Sequence, residues 1–273
     1  MSVKSSQQQL DDVLKLYLER KVQVPSNTNI ELEVRFGTKG KFRITHSIYD
    51  NVVKRLLSLG FTSSNQESIL RITNEYIDPK TGVTKMSNVR GEIMGLGRIS
   101  EYCRNDNIVD KNGSNIISFD QKSYYRDDQG FIYPVDFEDF NFRVSMQTEK
   151  HLNYNSGLVR NVRDTWNDLK KTFRLISRTT LRSDKYPVKI DLSIVKSSKR
   201  VGRSFVPEYK FKDSGVLESP EQYEIEIEVD SDKIGYYPGT AYSTVESLGI
   251  ALRKVIKLVL SGMQSTNYPV STQ

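Results

Sequence analysis

Ile30-Glu31-Leu32-Glu33-Val34-Arg35-Phe36 near the start of the chain, and Tyr223-Glu224-Ile225-Glu226-Ile227-Glu228-Val229-Asp230 near its end, alternate apolar and charged residues without a break. Successive side chains of a β-strand point to opposite faces. Glu31, Glu33 and Arg35 therefore share one face against Ile30, Leu32, Val34 and Phe36. Glu224, Glu226 and Glu228 likewise oppose Tyr223, Ile225, Ile227 and Val229. Carboxylates two residues apart on a strand lie about 7 Å from each other. At an effective dielectric near 20 they repel by about 2 kcal/mol. A cluster of four or five requires cations, protonation or bulk water.

Other segments supply the cations. In 170–182, Lys170, Thr172, Arg174, Ile176, Arg178 and Arg182 fall on one face, with Phe173, Leu175 and Leu181 on the other. Lys189, Asp191 and Ser193 oppose Val188, Ile190, Leu192 and Ile194. Arg143, Ser145, Gln147 and Glu149 oppose Phe142, Val144 and Met146. Arg90 with Glu92, and Lys122 with Tyr124 and Arg126, add ionic faces. A charged face on one strand ordinarily meets water, as on the outside of a sandwich. Segregating carboxylates to the first and last strands and cations to others instead indicates a closed barrel with a charged lumen. An acidic wall suits a hard divalent cation, and a basic wall suits phosphate oxygens.

Strands are predicted at 30–36, 68–76, 85–94, 116–126, 142–150, 172–182, 186–196 and 223–230, with turns at Asp78–Gly82 and Asn112-Gly113. Helical periodicity appears at 9–22, at about 46–59 and between Tyr242 and Leu260. For the second helix Thr45 is the N-cap and Gly60 the terminator. Few helices among many short-looped strands make the chain mainly β, an antiparallel sheet or barrel. Residues 1–27 form an N-terminal helical segment, 28–260 the barrel domain, and the polar stretch 261–273 a linker.

The 273 residues carry 40 Lys and Arg against 34 Asp and Glu, a net charge of +6. Such a balance favours polyanions only weakly. With a mean hydropathy of −0.53 and no apolar run of membrane-spanning length, no membrane partner is expected. The single Cys103 excludes an internal disulfide framework, fits a reducing compartment and reads as a bystander rather than a nucleophile. His46 and His151, the two histidines, are too far apart in sequence to suggest a histidine zinc site. Gly95-Leu96-Gly97-Arg98 lacks the ending of a phosphate-binding loop and reads as a turn. Trp166 reads as packing on the barrel exterior, with base stacking as its functional alternative.

The two glutamate strands resemble the paired glutamate motifs of the triphosphate tunnel metalloenzymes. The likeness is greatest to the metal-dependent RNA 5′-triphosphatases of fungal and large-DNA-virus capping enzymes. Arg143–Lys150, Phe173–Leu181 and Lys189–Lys196 resemble internal strands of the viral proteins in the same order, so the resemblance covers about 28–260. It implies an eight-stranded antiparallel tunnel with helices packed outside, and hydrolysis of the β–γ bond of triphosphate-ended RNA. It implies Mg²⁺ or Mn²⁺ on Glu31, Glu33, Glu226 and Glu228, with Glu224 a further candidate. Arg90, Lys122, Arg174, Arg178, Lys189 and Asp191 become the triphosphate-binding set, and Glu149, Glu226, Arg174 and Arg178 the catalytic one. The partners implied are the 5′ end of nascent RNA and a fused or associated guanylyltransferase and methyltransferase, not DNA. The location implied is intracellular, the host cytoplasm or the virion. No Lys-x-Asp-Gly transferase motif occurs in the chain. Where viral relatives show Arg-x-Lys-x-Arg, this chain has Arg174-Leu175-Ile176-Ser177-Arg178, so Lys170 or Arg182 would have to compensate. Tunnel-fold nucleotide or polyphosphate hydrolysis, and a non-catalytic RNA-binding barrel, are the competing readings.

Overall fold

Eight strands close on themselves in the computed structural model, which describes residues 5–21, 28–37, 43–78, 80–127, 130–132, 134–235 and 241–264. They are β1 (Thr28–Phe36), β2 (Glu67–Ile77), β3 (Thr84–Met94), β4 (Ser118–Tyr124), β5 (Phe142–Leu152), β6 (Lys171–Arg182), β7 (Val188–Ser197) and β8 (Gln222–Val229). Every pairing is antiparallel, in the order β1-β8-β7-β6-β2-β3-β4-β5, and β5 returns to β1 through a register running from Thr28 opposite Lys150 to Phe36 opposite Phe142. Closure leaves the main barrel without a free edge. The fold is thus a closed eight-stranded antiparallel barrel with five helices outside.

The apolar faces of the strands point outward, where helices cover them. α1 (Ser6–Lys21), α2 (His46–Ser58) and α5 (Val245–Met263) bury Leu14, Tyr17, Val52, Leu56, Leu252, Val255 and Val259. Their partners include Leu32, Val34, Ile190, Leu192, Ile225 and Ile227 of β1, β7 and β8. On the other side α3 (Leu96–Asn105), α4 (Gly157–Asp164) and adjoining loops cover Leu70, Ile72, Ile93, Phe119 and Phe173 with Tyr102, Val159, Trp166 and Phe211. This outward burial dictates the inverted strand pattern: with the core outside the barrel, the charged face of each strand is left to the lumen.

Local signals explain most helix ends. The Thr45 side chain accepts from the Ile48 amide, and Gly60 follows the helix at φ +85°. α5 starts at Val245 rather than Tyr242 because Thr244 and Ser247 form a reciprocal cap. It runs on to Met263, three residues into the stretch expected to be linker. Gly262 permits this by packing against α2, where an added Cβ would lie 2.9 Å from Val52 Cα. Residues 265–273 lie outside the described residues, as do Pro25, Ser26, Asn27, Pro79, Tyr236 and Tyr237.

Two sequence expectations are corrected. Gly95–Arg98 is not an isolated turn: Gly95, at φ +91°, is the N-cap of α3. With one flanking glycine inside the first turn and few buried positions, Ile99 and Tyr102 among them, its periodicity was masked. The strand expected at 116–126 begins at Ser118, because Ile116 and Ile117 both enter the outer core instead of alternating. Trp166 is buried in that core as expected, at the barrel exterior. Burial pushes the Cys103 thiol up to about 11, with Asp106 adding to the shift, so thiolate chemistry is suppressed.

Candidate active site

The lumen is a cavity of about 420 Å³ whose lining is almost wholly ionic. Every predicted site residue is there: Glu31, Glu33, Arg90, Lys122, Glu149, Arg174, Arg178, Lys189, Asp191, Glu224, Glu226 and Glu228. Register explains the convergence. Glu33 stands opposite Glu228, Arg35 opposite Glu226, Lys189 opposite Glu228, and Asp191 opposite Glu226. Directly opposed residues of an antiparallel pair share a face, so the acids from the two ends of the chain meet inside one channel.

Lys122 from β4 reaches across to both β1 carboxylates, at 2.6 Å from Glu31 Oε2 and in direct contact with Glu33 Oε1. Gln147 Nε2 donates to the other Glu33 oxygen at 3.0 Å. Glu226 accepts from Arg35 Nε at 2.6 Å, Glu228 pairs with Lys189 Nζ at 3.0 Å, and Glu224 accepts twice from Arg174, at 2.8 and 2.9 Å. Burial raises the Glu31 carboxyl above its ordinary range, with Glu149 adding to the shift and Lys122 opposing it. Burial also raises Glu33, against the pull of Lys122 and with the push of Glu226. Glu228 is pushed up to about 7 by burial and by Glu31, despite Lys189. For Glu226 burial acts upward too, but Arg35, Arg178, Lys122 and Arg71 together hold the group below its ordinary value. Three raised carboxyls beside one ionised carboxylate are mutually repelling acids that a divalent cation would relieve. Among the described residues no three such donors form a ready-made metal cluster. Glu31 and Glu33 are instead drawn together onto Lys122, Glu226 onto Arg35, Glu228 onto Lys189 and Glu224 onto Arg174.

The cationic wall has spare donors. Arg90 gives one amine to Glu149 at 2.9 Å, and Arg174 gives one to Glu224. The Nε of each is buried without a hydrogen-bond partner. Such a donor is costly to leave unmade, and a phosphate oxygen satisfies it. Arg178 is held by Asp191 Oδ2 at 3.2 Å and by the Ser193 hydroxyl at 3.3 Å, while Thr180 donates to Asp191 at 2.6 Å. Asp191 thus orients an arginine.

Ile176, where the resemblance leads one to expect lysine, is buried with Ile69 and Val195 in a small apolar cluster. These three lie side by side on β6, β2 and β7. Neither expected substitute fills the gap. Lys170 lies 5.5 Å from the Tyr209 ring centroid, and Arg182 pairs with Asp230 at 2.7 Å. Arg71 does line the lumen, opposite Arg174 in register, with its Nε on Glu92 at 2.6 Å. Sequence reasoning passed over Arg71 because Ile69 shares its face and blurs the alternation. Arg35, Glu92 and Gln147 were placed on charged faces but not in the site; they too line it. A larger cleft of about 770 Å³, lined by Lys199, Arg200, Glu208, Lys212 and Asp213 among others, contains none of the predicted site residues.

No family model matches the sequence, and no curated protein sequence matches it. Among solved structures the chain is similar to the RNA triphosphatase domain of a trifunctional mimivirus mRNA capping enzyme. The TM-score is 0.55 and the identity 15%, over 94% of this chain and 99% of that one. It is also similar to the Pct1 RNA triphosphatase of S. pombe, with a TM-score of 0.50 and 12% identity over 97% and 95%. Identities this low speak for architecture alone, and on that ground the chain is a tunnel-fold protein, built on the same closed barrel as these RNA triphosphatases.

Proposed function

We propose that this chain is a divalent-metal-dependent RNA 5′-triphosphatase that carries out the first step of mRNA capping. The observation that carries the reading is the lumen itself. Carboxylates of β1 and β8 confront arginines whose Nε groups lack partners, inside a cavity of about 420 Å³. Glu31, Glu33, Glu226 and Glu228 offer the oxygen-only donors that Mg²⁺ or Mn²⁺ takes once it displaces their lysine or arginine partners, and Glu224, bonded twice by Arg174, is the further candidate. When bound there, the ion supplies Lewis-acid polarisation of the terminal phosphoryl group.

The protein's own side chains account for the remainder. Arg90, Arg174, Arg178 and Lys189 hold the phosphate chain and offset charge as it develops on the equatorial oxygens. Arg71 joins them on the strength of its position. Glu149, steadied by Arg90 and adjacent to Glu31, orients a water in line with the β–γ bond and takes its proton. The water oxygen forms the new bond to the γ-phosphorus, the bridging oxygen leaves with the β-phosphate, and the products are a 5′-diphosphate end and inorganic phosphate. A product of that kind suits a guanylyltransferase, fused or associated, as the next partner. The mimivirus neighbour is described as trifunctional.

Release of labelled phosphate from γ-labelled triphosphate RNA tests this reading. Wild type is expected to release it only with Mg²⁺ or Mn²⁺, and Glu226→Ala to lose at least a hundredfold, about 3 kcal/mol in transition-state stabilisation. Equal release without divalent metal would end the proposal. Faster turnover of inorganic tripolyphosphate than of RNA would transfer it to polyphosphate hydrolysis.

A further inference from the structure

The antiparallel arrangement gives the tunnel two unlike mouths. One gathers the C-terminal ends of β1, β2, β4 and β7 with the N-terminal ends of β3, β5, β6 and β8. The connection from β7 to β8 rises from this mouth and carries a small hairpin, Arg200-Val201 paired with Ser204-Phe205. The connection, residues 198–221, holds Lys199, Arg200, Arg203, Lys210 and Lys212 against Glu208, Asp213, Glu218 and Glu221, and the hairpin itself, 200–205, carries Arg200 and Arg203 with no acid. At the opposite mouth the strand ends bring Glu67, Asp120 and Asp230 together with Lys150 and Arg182, and Arg182 pairs with Asp230. A polyanion at the first mouth meets the cationic hairpin.

Beside the hairpin lies a second cavity, of about 390 Å³. Arg71, Thr73 and Arg174 line both this cavity and the lumen, so the two adjoin. Its remaining walls include Met86, Arg203 and Phe205. Met86 is 42% exposed, and Arg203 is exposed. Arg200 covers the Phe205 ring at 4.1 Å from the guanidinium carbon to the centroid, which fixes the ring in place. The character of the lining changes at this point from ionic to aromatic, thioether and guanidinium surface. These are the groups on which a nucleobase stacks. Arg71 and Arg174 stand at the border between lumen and cavity, and the group that follows the phosphates along a triphosphate-ended RNA is its first nucleoside.

We propose that the cavity between this hairpin and β3 is a binding site for the 5′-terminal nucleoside of the RNA, with Phe205 as the stacking surface and Arg203 as contact to base or following phosphate. The site rests on the triphosphatase reading, because it takes its occupant from the phosphate chain in the lumen. It is also what separates an RNA end from free polyphosphate, which has nothing to place there.

Equilibrium binding of two non-hydrolysable ligands tests it: a trinucleotide bearing a 5′-β,γ-imidotriphosphate, and inorganic imidotriphosphate. Phe205→Ala and Arg203→Ala are each expected to weaken the trinucleotide about tenfold while leaving imidotriphosphate within about twofold. Equal weakening of both ligands would mean that the hairpin only supports the barrel, and no change in either would mean that it touches nothing; both outcomes overturn the site. Phosphate release by wild type separates the two readings. Selective loss of trinucleotide binding without any turnover removes the enzymatic reading and keeps the site. Turnover with unchanged binding in both variants does the reverse.

Discussion

Glu33→Gln is expected to lower metal-dependent phosphate release from triphosphate RNA by about a thousandfold or more, on the order of 4 kcal/mol. Glu33 is the carboxylate at which the site converges: β8 flanks it through Glu228, β5 through Ser145, and Lys122 and Gln147 both bond to it. The amide keeps the size and one oxygen but gives up the charge that a hard cation needs. Burial already raises the Glu33 carboxyl, so the neutral side chain is tolerated and the melting temperature should move little. Loss of turnover with an intact melt isolates the chemistry from the fold. Near-normal turnover by a folded Glu33→Gln protein would mean that the β1 acids hold no essential ion.

Lys122→Met is expected to act in the opposite way, on stability before catalysis. Lys122 is the cation between Glu31 and Glu33, and both acids are buried. Removing it strands two buried carboxyls, a change that costs about 3–5 kcal/mol when one partner of a buried ion pair is deleted. The pH dependence has a definite sign. Glu31, Glu33 and Glu228 have folded-state values raised above the ordinary 4.5, Glu228 to about 7. A raised carboxyl binds its proton more tightly in the folded protein, so its contribution is present below 4.5 and declines as pH climbs toward 7. Without Lys122 that decline should steepen in metal-free protein, and Mn²⁺ should reverse it by taking over the lysine's role. Thermal melts across this range, with and without Mn²⁺, check the outcome. A variant as stable as wild type at neutral pH without metal would show that Lys122 does not neutralise these acids.

Much of the lumen was legible because strand alternation has a period of two, and a barrel with its core outside must turn the charged face inward. That reasoning placed Glu31, Glu33, Glu149 and the β8 glutamates in one channel from sequence alone. Which charge meets which was not legible. Lys122 contacts Glu31 across 91 positions of sequence, and Arg174 contacts Glu224 across 50. Such partners are set by closure and register. Arg71 escaped notice because Ile69, two residues earlier on the same face, joins Ile176 and Val195 in an apolar cluster. The same cluster explains how the strand accommodates Ile176 between Arg174 and Arg178: its neighbours across both adjacent strands are apolar too. The hairpin at 200–205 was missed for a simpler reason. Two-residue strands around a glycine carry no periodicity to read.

Crystals soaked in Mn²⁺ offer the most direct measurement, through the anomalous signal of the ion. One strong peak is expected in the lumen, about 2.0–2.3 Å from carboxylate oxygens of both β1 and β8, with Lys122 displaced from Glu31 and Glu33. A peak bound by only one of these strands, or a lumen that stays free of manganese while Lys122 keeps its place, would contradict it.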